Sequence, residues 1–420
     1  MKVRLHYGTA GLDLDLTGLN ATLLAPKFFD GLPDEAAAFT AALRAPIGTQ
    51  PLRDTVLATD KVAVVIPDGT RPLPSDRLLP WLFAELAHVP KENFTILIGT
   101  GSHRPNTPAE LDAMLSPAVA RNYRVVNHSS TDASTLAFAG RSAMGYEVRL
   151  AKDYVAADRR IMLGFIEPHF MAGFSGGYKA VFPGIAALDA IMQYHAAAVI
   201  GDPRSTWGEL EDNPTQRHVR AGGSLLPVDF CLNVTLNARR QITRFFCGET
   251  MAAHRAGCAF VKATAMAACP RPFPIVVTTN SGFPLDQSLY QTVKGMAAAS
   301  RIVTPGGLIL TAARCNDGFP AHGNFRKLIE ESQSAQELLD RIMTPGFAVL
   351  DQWQAQRYAM VLIHARVALF SELSDADVRR AHLTPVHDLR AALDAELARL
   401  GPDTPIAVLP EGPLTIPYLA

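Results

Sequence analysis

Short apolar runs rich in β-branched residues recur along this chain, and each ends in a polar or glycine-containing loop. Runs of this length bounded by Gly and Pro are typical of buried β-strands. The runs are Lys61–Ile66, Phe94–Ile98, Ile161–Ile166, Ile275–Thr279, Leu308–Ala313, Val367–Phe370 and Ile406–Leu409. Because helical sequence separates them, they predict an α/β fold in which mostly parallel sheets are flanked by helices.

Two helix starts carry recognisable caps. Thr107-Pro108-Ala109-Glu110 is a capping box with proline at the first helical position, and it predicts a helix over Pro108–Asn122. Ser334 and Glu337 have the same spacing and predict a helix that ends before Thr344.

Length and proline content indicate two domains. The 420 residues exceed the size of about 250–300 at which a single core stops growing. Three prolines lie within Cys269–Pro274, between an alanine-rich helical stretch and the apolar run that follows. Such a stretch predicts a stiff linker at the domain boundary.

Composition limits the possible partners. Hydrophobic residues make up 48% of the chain and charged residues 19%, with a formal net charge of −1. This balance disfavours nucleic acid and membrane surfaces as partners. No signal-peptide pattern opens the sequence and no apolar run reaches about 18 residues, so we expect a cytoplasmic protein. Its five cysteines form no CxxC motif and are expected to be buried thiols.

Chemistry-bearing residues concentrate between Ile166 and His195. His169, Lys179 and His195 surround a Gly-Phe-Ser-Gly-Gly turn. Histidine can shuttle protons or ligate a metal, and a lysine after glycines can hold a phosphate or become a covalent attachment point. Each residue also has an explanation without function: the histidines could be packed side chains of the fold, and the lysine could be exposed to solvent.

Two other loops have the same form, Pro67–Pro72 after the first apolar run and Gly99–Arg104 after the second. Ligands in open α/β sheets bind beyond the carboxyl ends of the strands. The three loops are therefore predicted to converge on one cleft.

The chain resembles the nickel-dependent lactate racemase family, whose members carry a nickel pincer nucleotide. Five motifs occur in the family's order and spacing, and together they are far more specific than any one alone. They are DGTRPLP at Asp68–Pro74, GTGSHRPNT at Gly99–Thr107, EPHFMAGFSGGYKAVFPGIA at Glu167–Ala186, PLDQSLYQTVKGM at Pro284–Met296 and DQWQAQ at Asp351–Gln356.

The resemblance implies a role for each matched residue. His103 and His169 would be the catalytic acid/base pair. His195 would ligate nickel, and Lys179 would carry the covalently attached cofactor, a pyridinium thioamide/thiocarboxylate mononucleotide. The implied cofactor-binding residues are Asp68, Thr70, Gly176, Gly177, Lys179 and Trp353, and the implied substrate-binding residues are Arg71, Tyr290, Gln291 and Lys294.

The implied domains are residues 1–270 with about 402–420, which would bind the cofactor, and residues 275–400, which would close over the substrate. The active site would lie in the cleft between them. The resemblance further implies cofactor-biosynthesis proteins as maturation partners, and the chain is expected to be a monomer or homodimer.

The implied reaction is racemisation or epimerisation of a 2-hydroxy acid through a 2-keto acid. Removing the Cα hydrogen as a proton would place a second negative charge beside the carboxylate, whereas removing it as hydride avoids this. A histidine would take the hydroxyl proton. An arginine such as Arg71 suits the carboxylate because its planar fork binds in a bidentate manner.

Two departures from the family pattern leave the substrate open among lactate, malate, phenyllactate, 2-hydroxyglutarate and an aldonate. Tyr178 precedes the lysine where arginine is usual, and the Cys315–Gly323 loop has fewer glycines. His322 in that loop is a candidate for substrate selection.

Two alternative functions would use the same predicted cleft. A nucleotide-dependent oxidoreductase or metal-dependent hydrolase is disfavoured because GxGxxG and HExxH are absent from the sequence. A non-catalytic cofactor carrier would need Lys179 but not both His103 and His169.

Overall fold

The computed structural model describes residues 1–420 apart from 26, 28, 238, 321 and 322. The strands, in chain order, are β1 Lys2–Leu5, β2 Leu12–Asp15, β3 Ala21–Leu23, β4 Val62–Pro67, β5 Phe94–Gly99, β6 Arg124–Asn127, β7 Leu136–Arg141, β8 Glu147–Ala151, β9 Arg159–Phe165, β10 Pro168–His169, β11 Gly173–Phe174, β12 Phe230–Leu236, β13 Ile242–Gly248, β14 Met266–Cys269, β15 Phe273–Thr279, β16 Val303–Ala312, β17 Arg366–Phe370, β18 Thr384–Val386, β19 Ile406–Leu409 and β20 Ile416–Leu419.

The α-helices, in chain order, are α1 Glu35–Arg44, α2 Leu52–Thr55, α3 Ser75–Glu85, α4 Pro108–Leu115, α5 Pro117–Asn122, α6 Lys152–Val155, α7 Leu188–Tyr194, α8 Ala197–Gly201, α9 Pro214–Gly223, α10 Thr250–Ala265, α11 Leu289–Ala299, α12 Phe325–Glu330, α13 Ala335–Met343, α14 Gln352–His364, α15 Asp375–Arg380 and α16 Leu389–Leu400.

Each apolar run singled out in the sequence lies within a strand, extending at most one residue beyond it, and the predicted α/β class is confirmed. The chain forms two compact units. One, here called the histidine unit, comprises Phe28–His195 and Pro203–Ala263, and the other, the carboxyl-terminal unit, comprises Met1–Lys27, Ala196–Asp202 and Thr264–Ala420.

The histidine unit is built on a six-stranded sheet of order β13-β12-β9-β4-β5-β6. All neighbours are parallel except β12 and β13. Along β4, Val62, Val64 and Ile66 enter one apolar core while Ala63 and Val65 enter the other. Both faces of the strand are therefore covered, which explains its continuous apolar sequence.

The carboxyl-terminal unit contains a second six-stranded sheet, of order β18-β17-β16-β15-β19-β3, in which all neighbours are parallel. Its core includes Val3 and Leu5 of β1 together with Ile275, Leu310 and Ile406. The first strands of the chain thus complete the core of this unit.

The two units divide the chain differently from the predicted domain boundaries. Met1–Lys27 and the last segment both belong to the carboxyl-terminal unit. The reason is strand pairing, since β19 lies between β15 and β3 and β20 pairs with β14. The predicted linker at Cys269–Pro274 is instead a turn between β14 and β15, and Pro274 lies within β15.

One predicted helix is divided in two. Thr107 forms the expected capping box with Glu110, but the helix from Pro108 stops at Leu115 and α5 restarts at Pro117. Ser116 between them has φ of 69°. The cause is Pro117, because proline disfavours the α conformation in the residue before it. The helix after Ser334 ends at Met343, as predicted.

Candidate active site

Three loops follow the neighbouring strands β9, β4 and β5 of the histidine unit, at their carboxyl ends. The chain proceeds from β4 outward to β5 and β6, and then returns to the other side of β4 as β9. The order therefore reverses between β4 and β9, and such a switch point is where open α/β sheets bind ligands. The predicted convergence of the three loops follows from this strand order.

The loop after β4 presents Asp68, Thr70 and Arg71. Asp68 is 5% exposed, and the hydroxyl of Thr70 donates to its Oδ1 over 2.6 Å. The Arg71 amide donates to the Asp68 carbonyl and closes the turn. The charge of Arg71 also contributes to lowering the pKa of the Asp68 carboxyl.

The loop after β5 positions His103. Thr100 is buried and its hydroxyl donates to the His128 carbonyl over 2.8 Å, while the Gly101 amide donates to the Gly184 carbonyl over 2.8 Å. Gly101 has φ of 56°, a conformation that favours glycine. The amide of His103 then bonds to the Thr100 carbonyl, which fixes the backbone that carries the ring.

A short polar contact between Asp68 and His103 joins two of these loops. The Nδ1 of His103 lies 2.7 Å from Asp68 Oδ2. Burial raises the pKa of Asp68, but the hydrogen bond and charge of His103, together with Thr70 and Arg71, outweigh burial and leave it below its usual value. Because an ionised carboxylate only accepts, His103 must hold a proton on Nδ1, and in the neutral ring the lone pair is therefore on Nε2.

The hydrogen bonding of His169 is the reverse of that of His103, because its Nδ1 accepts hydrogen bonds. His169 lies in β10, and its Nδ1 accepts the backbone amides of Met171 and Ala172 over 3.2 and 3.1 Å. An amide only donates, so the neutral ring must carry its proton on Nε2. The two predicted acid/base histidines are thus held as different tautomers.

The lysine follows a tight glycine turn. Gly176 and Gly177 have φ of 79° and 54°, and Lys179 lies in the short 3-10 helix Gly177–Ala180 that comes next. The amide of Gly177 donates to Asn233 Oδ1 over 3.1 Å. A Cβ on Gly177 would lie 2.8 Å from Cγ of His254, so only glycine fits against that ring.

His195 ends α7. It is 9% exposed, and its Nδ1 lies 3.1 Å from the Ile191 carbonyl. Burial lowers the pKa of His195 to about 3, and the charges of Lys179 and His103 act in the same direction. The ring is therefore neutral at physiological pH with its proton on Nδ1, and it lies within electrostatic reach of both other residues.

The remaining predicted residues lie in the carboxyl-terminal unit and form a group of their own. Tyr290, Gln291 and Lys294 are on α11, and Lys294 Nζ donates to Gln291 Oε1 over 2.8 Å. Tyr290 is hydrogen-bonded to Asp351 and to Trp353, the second residue of α14. His322 lies outside the described residues.

Two residues that bind the backbone of the glycine turn were not predicted from the sequence. Asn233 comes from the interior of β12, and His254 from α10, where its Nε2 donates to the Ser175 carbonyl over 2.8 Å. A buried polar side chain within an apolar strand, as at Asn233, is the one pattern that points toward such a contact.

The described part of the chain was searched for clusters of metal-ligating side chains and for disulfides. No group of three or more His, Cys, Asp or Glu side chains there could hold a metal ion. The five cysteines are buried free thiols, as expected.

The helices of the described residues are all too short or too polar to span a membrane.

The fold and site define a two-domain α/β protein in which loops at the carboxyl ends of parallel strands carry histidines and a lysine. The chain matches the family described as "Lactate racemase N-terminal domain" over residues 7–208 and the one described as "Lactate racemase C-terminal domain" over residues 270–416. It belongs to the lactate racemase family, and so to the isomerases.

Similar proteins agree with this assignment. The chain is 36% identical over 375 residues to the lactate racemase of Thermoanaerobacterium thermosaccharolyticum, with 88% of each chain covered. It is 35% identical over 371 residues to that of Lactiplantibacillus plantarum, with 87% of each covered.

Solved structures give the same result. The lactate racemase apoprotein from Thermoanaerobacterium thermosaccharolyticum superposes with a TM-score of 0.93 at 34% identity, covering 99% of this chain and 100% of that one. A protein from Thermotoga maritima shares the fold, with a TM-score of 0.69 at 18% identity, covering 94% of this chain and all of that one.

Proposed function

We propose that this protein racemises or epimerises a 2-hydroxy acid through a 2-keto acid intermediate. The observation that carries the proposal is the Asp68–His103 pair, set within electrostatic reach of Lys179 and His195. Lactate is the first substrate to test, because both relatives are lactate racemases.

The chemistry of two side chains fits a nickel pincer nucleotide. His195 holds its proton on Nδ1 toward a backbone carbonyl, which is the usual second contact of a metal-binding histidine and leaves Nε2 as the ligating atom. Lys179 is the nearby amine suited to covalent attachment. Since the described residues supply no cluster of three metal ligands, the cofactor itself would complete the coordination. When bound, it would supply a carbon centre that accepts and returns hydride.

His103 is suited to take the hydroxyl proton of the substrate. Asp68 fixes the ring with Nδ1–H directed at the carboxylate, so that Nε2 is the basic atom. The negative charge of Asp68 then stabilises the imidazolium that forms, as the carboxylate of a catalytic triad does. His103 is half exposed, so a small substrate can reach it.

His169 would serve the other face of the substrate, and it starts from a different hydrogen-bonding state. Two backbone amides donate to its Nδ1, so the hydrogen of the neutral ring is on Nε2. This Nε2–H would donate to an oxygen of the substrate. His103 is thereby prepared to accept a proton and His169 to donate a hydrogen bond. For His169 to act as a base, the amides of Met171 and Ala172 would have to release Nδ1.

Arg71 would bind the substrate carboxylate, and its guanidinium stays charged throughout. Tyr290, Gln291 and Lys294 are proposed substrate-binding residues, and Trp353 a proposed cofactor-binding residue, by the family resemblance. Lys294 is hydrogen-bonded to Gln291 and Tyr290 to Trp353, so within each pair one side chain fixes the other.

Maturation would require the proteins that synthesise the cofactor. A bare cofactor carrier would need Lys179 and His195 only. The hydrogen bond from His103 to a buried carboxylate favours an enzyme over a carrier.

The test uses protein purified from cells that make the pincer nucleotide. Lactate, malate, phenyllactate, 2-hydroxyglutarate and gluconate, each deuterated at Cα, are offered separately, and inversion is followed by chiral chromatography. We expect one of them to show a primary isotope effect and to keep its deuterium in the inverted product. Release of deuterium to solvent at the rate of turnover would indicate proton abstraction and contradict the proposal.

A further inference from the structure

The two amides that set the tautomer of His169 belong to the buried loop between β10 and β11. Met171 and Ala172 are both buried, and their amides donate to Nδ1 of His169 over 3.2 and 3.1 Å. The Phe174 amide donates to the Ala172 carbonyl over 2.8 Å and closes the loop. The direction of the two amides therefore depends on what holds this loop inside the protein.

Asn213 is a fully buried side chain from a distant part of the chain that binds this loop. It caps α9, where its Oδ1 accepts the Gln216 amide over 3.0 Å. Its Nδ2 donates to the Met171 carbonyl over 2.8 Å and lies 3.4 Å from the Thr206 carbonyl. Because the Gln216 amide can only donate, the side-chain oxygen must face α9 and the nitrogen must face the two carbonyls.

A single peptide unit connects Asn213 to His169. The Met171 carbonyl and the Ala172 amide belong to the same planar group, and their C=O and N–H point in opposite directions. Asn213 donates to the oxygen, and the N–H donates to Nδ1 of His169. Fixing the oxygen therefore fixes the direction of the N–H. Accepting a hydrogen bond also polarises the peptide and strengthens its own donation, by on the order of 10–30%.

The loop and the segment before α9 also meet at a second point. The Gly208 amide donates to the Gly173 carbonyl over 3.1 Å. A Cβ on Gly173 would lie 1.8 Å from the Glu209 carbonyl oxygen, so only glycine fits there. This contact docks the two segments but involves a different peptide. Of the two contacts, the one from Asn213 acts on the peptide that faces the His169 ring.

We propose that Asn213 is a positioning residue for His169. It holds the Met171–Ala172 peptide so that the amides stay on Nδ1, and it thereby keeps the proton of the neutral ring on Nε2. The link from this tautomer to turnover rests on the acid/base role proposed above for His169. The capping of α9 is separable from this role, because Oδ1 caps the helix and Nδ2 holds the loop.

The test reads the tautomer directly in the full chain, produced without the cofactor machinery and labelled with ¹⁵N in its histidine rings. Two-bond proton–nitrogen correlations at about pH 8, where an ordinary imidazole is neutral, distinguish protonated from unprotonated ring nitrogens. The signals of His169 are those lost in His169→Gln. We expect the parent to show an unprotonated Nδ1 and a protonated Nε2.

Two variants separate the donor of Asn213 from its cap. Asn213→Asp and Asn213→Ser both keep an oxygen that can cap α9. The aspartate has no amide donor, and the serine hydroxyl is too short to reach the Met171 carbonyl. The matched control is Asp34→Ala, which removes the cap of α1 in the same unit.

In both Asn213 variants the ratio of Nε2–H to Nδ1–H tautomers should fall about three- to tenfold, which corresponds to the net worth of one hydrogen bond. The Ala172 amide should also exchange faster with deuterium. Asp34→Ala should unfold at a lower temperature but keep the parental ring signals. Unchanged His169 signals in the Asn213 variants would overturn the inference. If Asn213→Asp does not fold, Asn213→Ser decides the same question.

Turnover of the cofactor-loaded variants separates this inference from the proposed function. An altered tautomer with a lower kcat and a similar KM would support both. An altered tautomer with parental kcat would support the positioning role of Asn213 and contradict the acid/base role of His169.

Discussion

The buried carboxylate of Asp68 accepts the Nδ1 hydrogen of His103 over 2.7 Å, while the ring itself stays half exposed. The carboxylate is fixed from its other oxygen by Thr70. This geometry selects the tautomer of His103 and leaves Nε2 as its basic atom, so the aspartate acts through the histidine as a positioning residue.

Replacing Asp68 with Asn should lower kcat on the order of 10²–10⁴-fold with a smaller change in KM, because an amide can hold the ring in the wrong tautomer. Steady-state racemisation kinetics measure this. Asp112→Asn, at a partly buried position on α4, is the control and should keep parental kcat. A change confined to KM would show that Asp68 only binds a ligand.

Replacing His103 or His169 with Gln should each reduce turnover on the order of 10²–10⁴-fold, the usual range for a positioned acid or base. The two variants should differ in detail. Gln can imitate the Nε2–H of His169 but not the basic nitrogen of His103, so the loss should be larger at His103. Equal kcat losses in the two variants, from rate measurements in both directions, would contradict the tautomer assignment.

Replacing Lys179 with Ala should abolish a covalent adduct visible in the intact-protein mass after expression with the cofactor machinery. Lys152→Ala, on α6, should retain it. An unmodified parent protein with full activity would disprove the attachment.

Replacing His195 with Ala should lower nickel retention while leaving the Lys179 adduct in place, because the imidazole supplies one metal ligand and not the tether. Metal analysis and mass spectrometry of the same sample separate the two effects. Equal nickel content in variant and parent would reject the assignment.

His254 gives a prediction for pH. Burial lowers its pKa from the usual 6.5 to about 4, so the folded protein keeps the ring neutral where the unfolded chain would protonate it. Above pH 6.5 the ring is neutral in both states and does not reduce the free energy of unfolding. As pH falls from 6.5 toward 4, only the unfolded chain binds the proton, and the free energy of unfolding decreases by roughly 1 kcal/mol per pH unit.

Urea unfolding between pH 7 and 4 checks this. His254→Gln, which can still donate to the Ser175 carbonyl, should show a shallower decline than the parent. His387→Gln, at an exposed histidine, should follow the parent curve. Parallel curves for parent and His254→Gln would show that another group controls acid stability.

Local sequence determined the strands and the loops that carry chemistry. Continuous apolar runs at β4 and β5 specify strands buried on both faces, and Gly and Pro mark where they end. The motifs that contain His103, His169 and Lys179 follow these runs in order, so their position at the carboxyl ends of neighbouring strands could be predicted.

Contacts between distant parts of the chain decided the rest. The pairing of β3 with β19 assigns the first residues to the carboxyl-terminal unit, and no periodicity in either segment specifies that partner. Asn233 and His254 reach the glycine turn from β12 and α10, more than fifty residues away. The tautomers of His103 and His169 depend on which polar atoms lie beside each ring. Local patterns define how a segment folds, whereas strand order, core packing and hydrogen-bond partners emerge only when segments far apart in sequence bury their surfaces together.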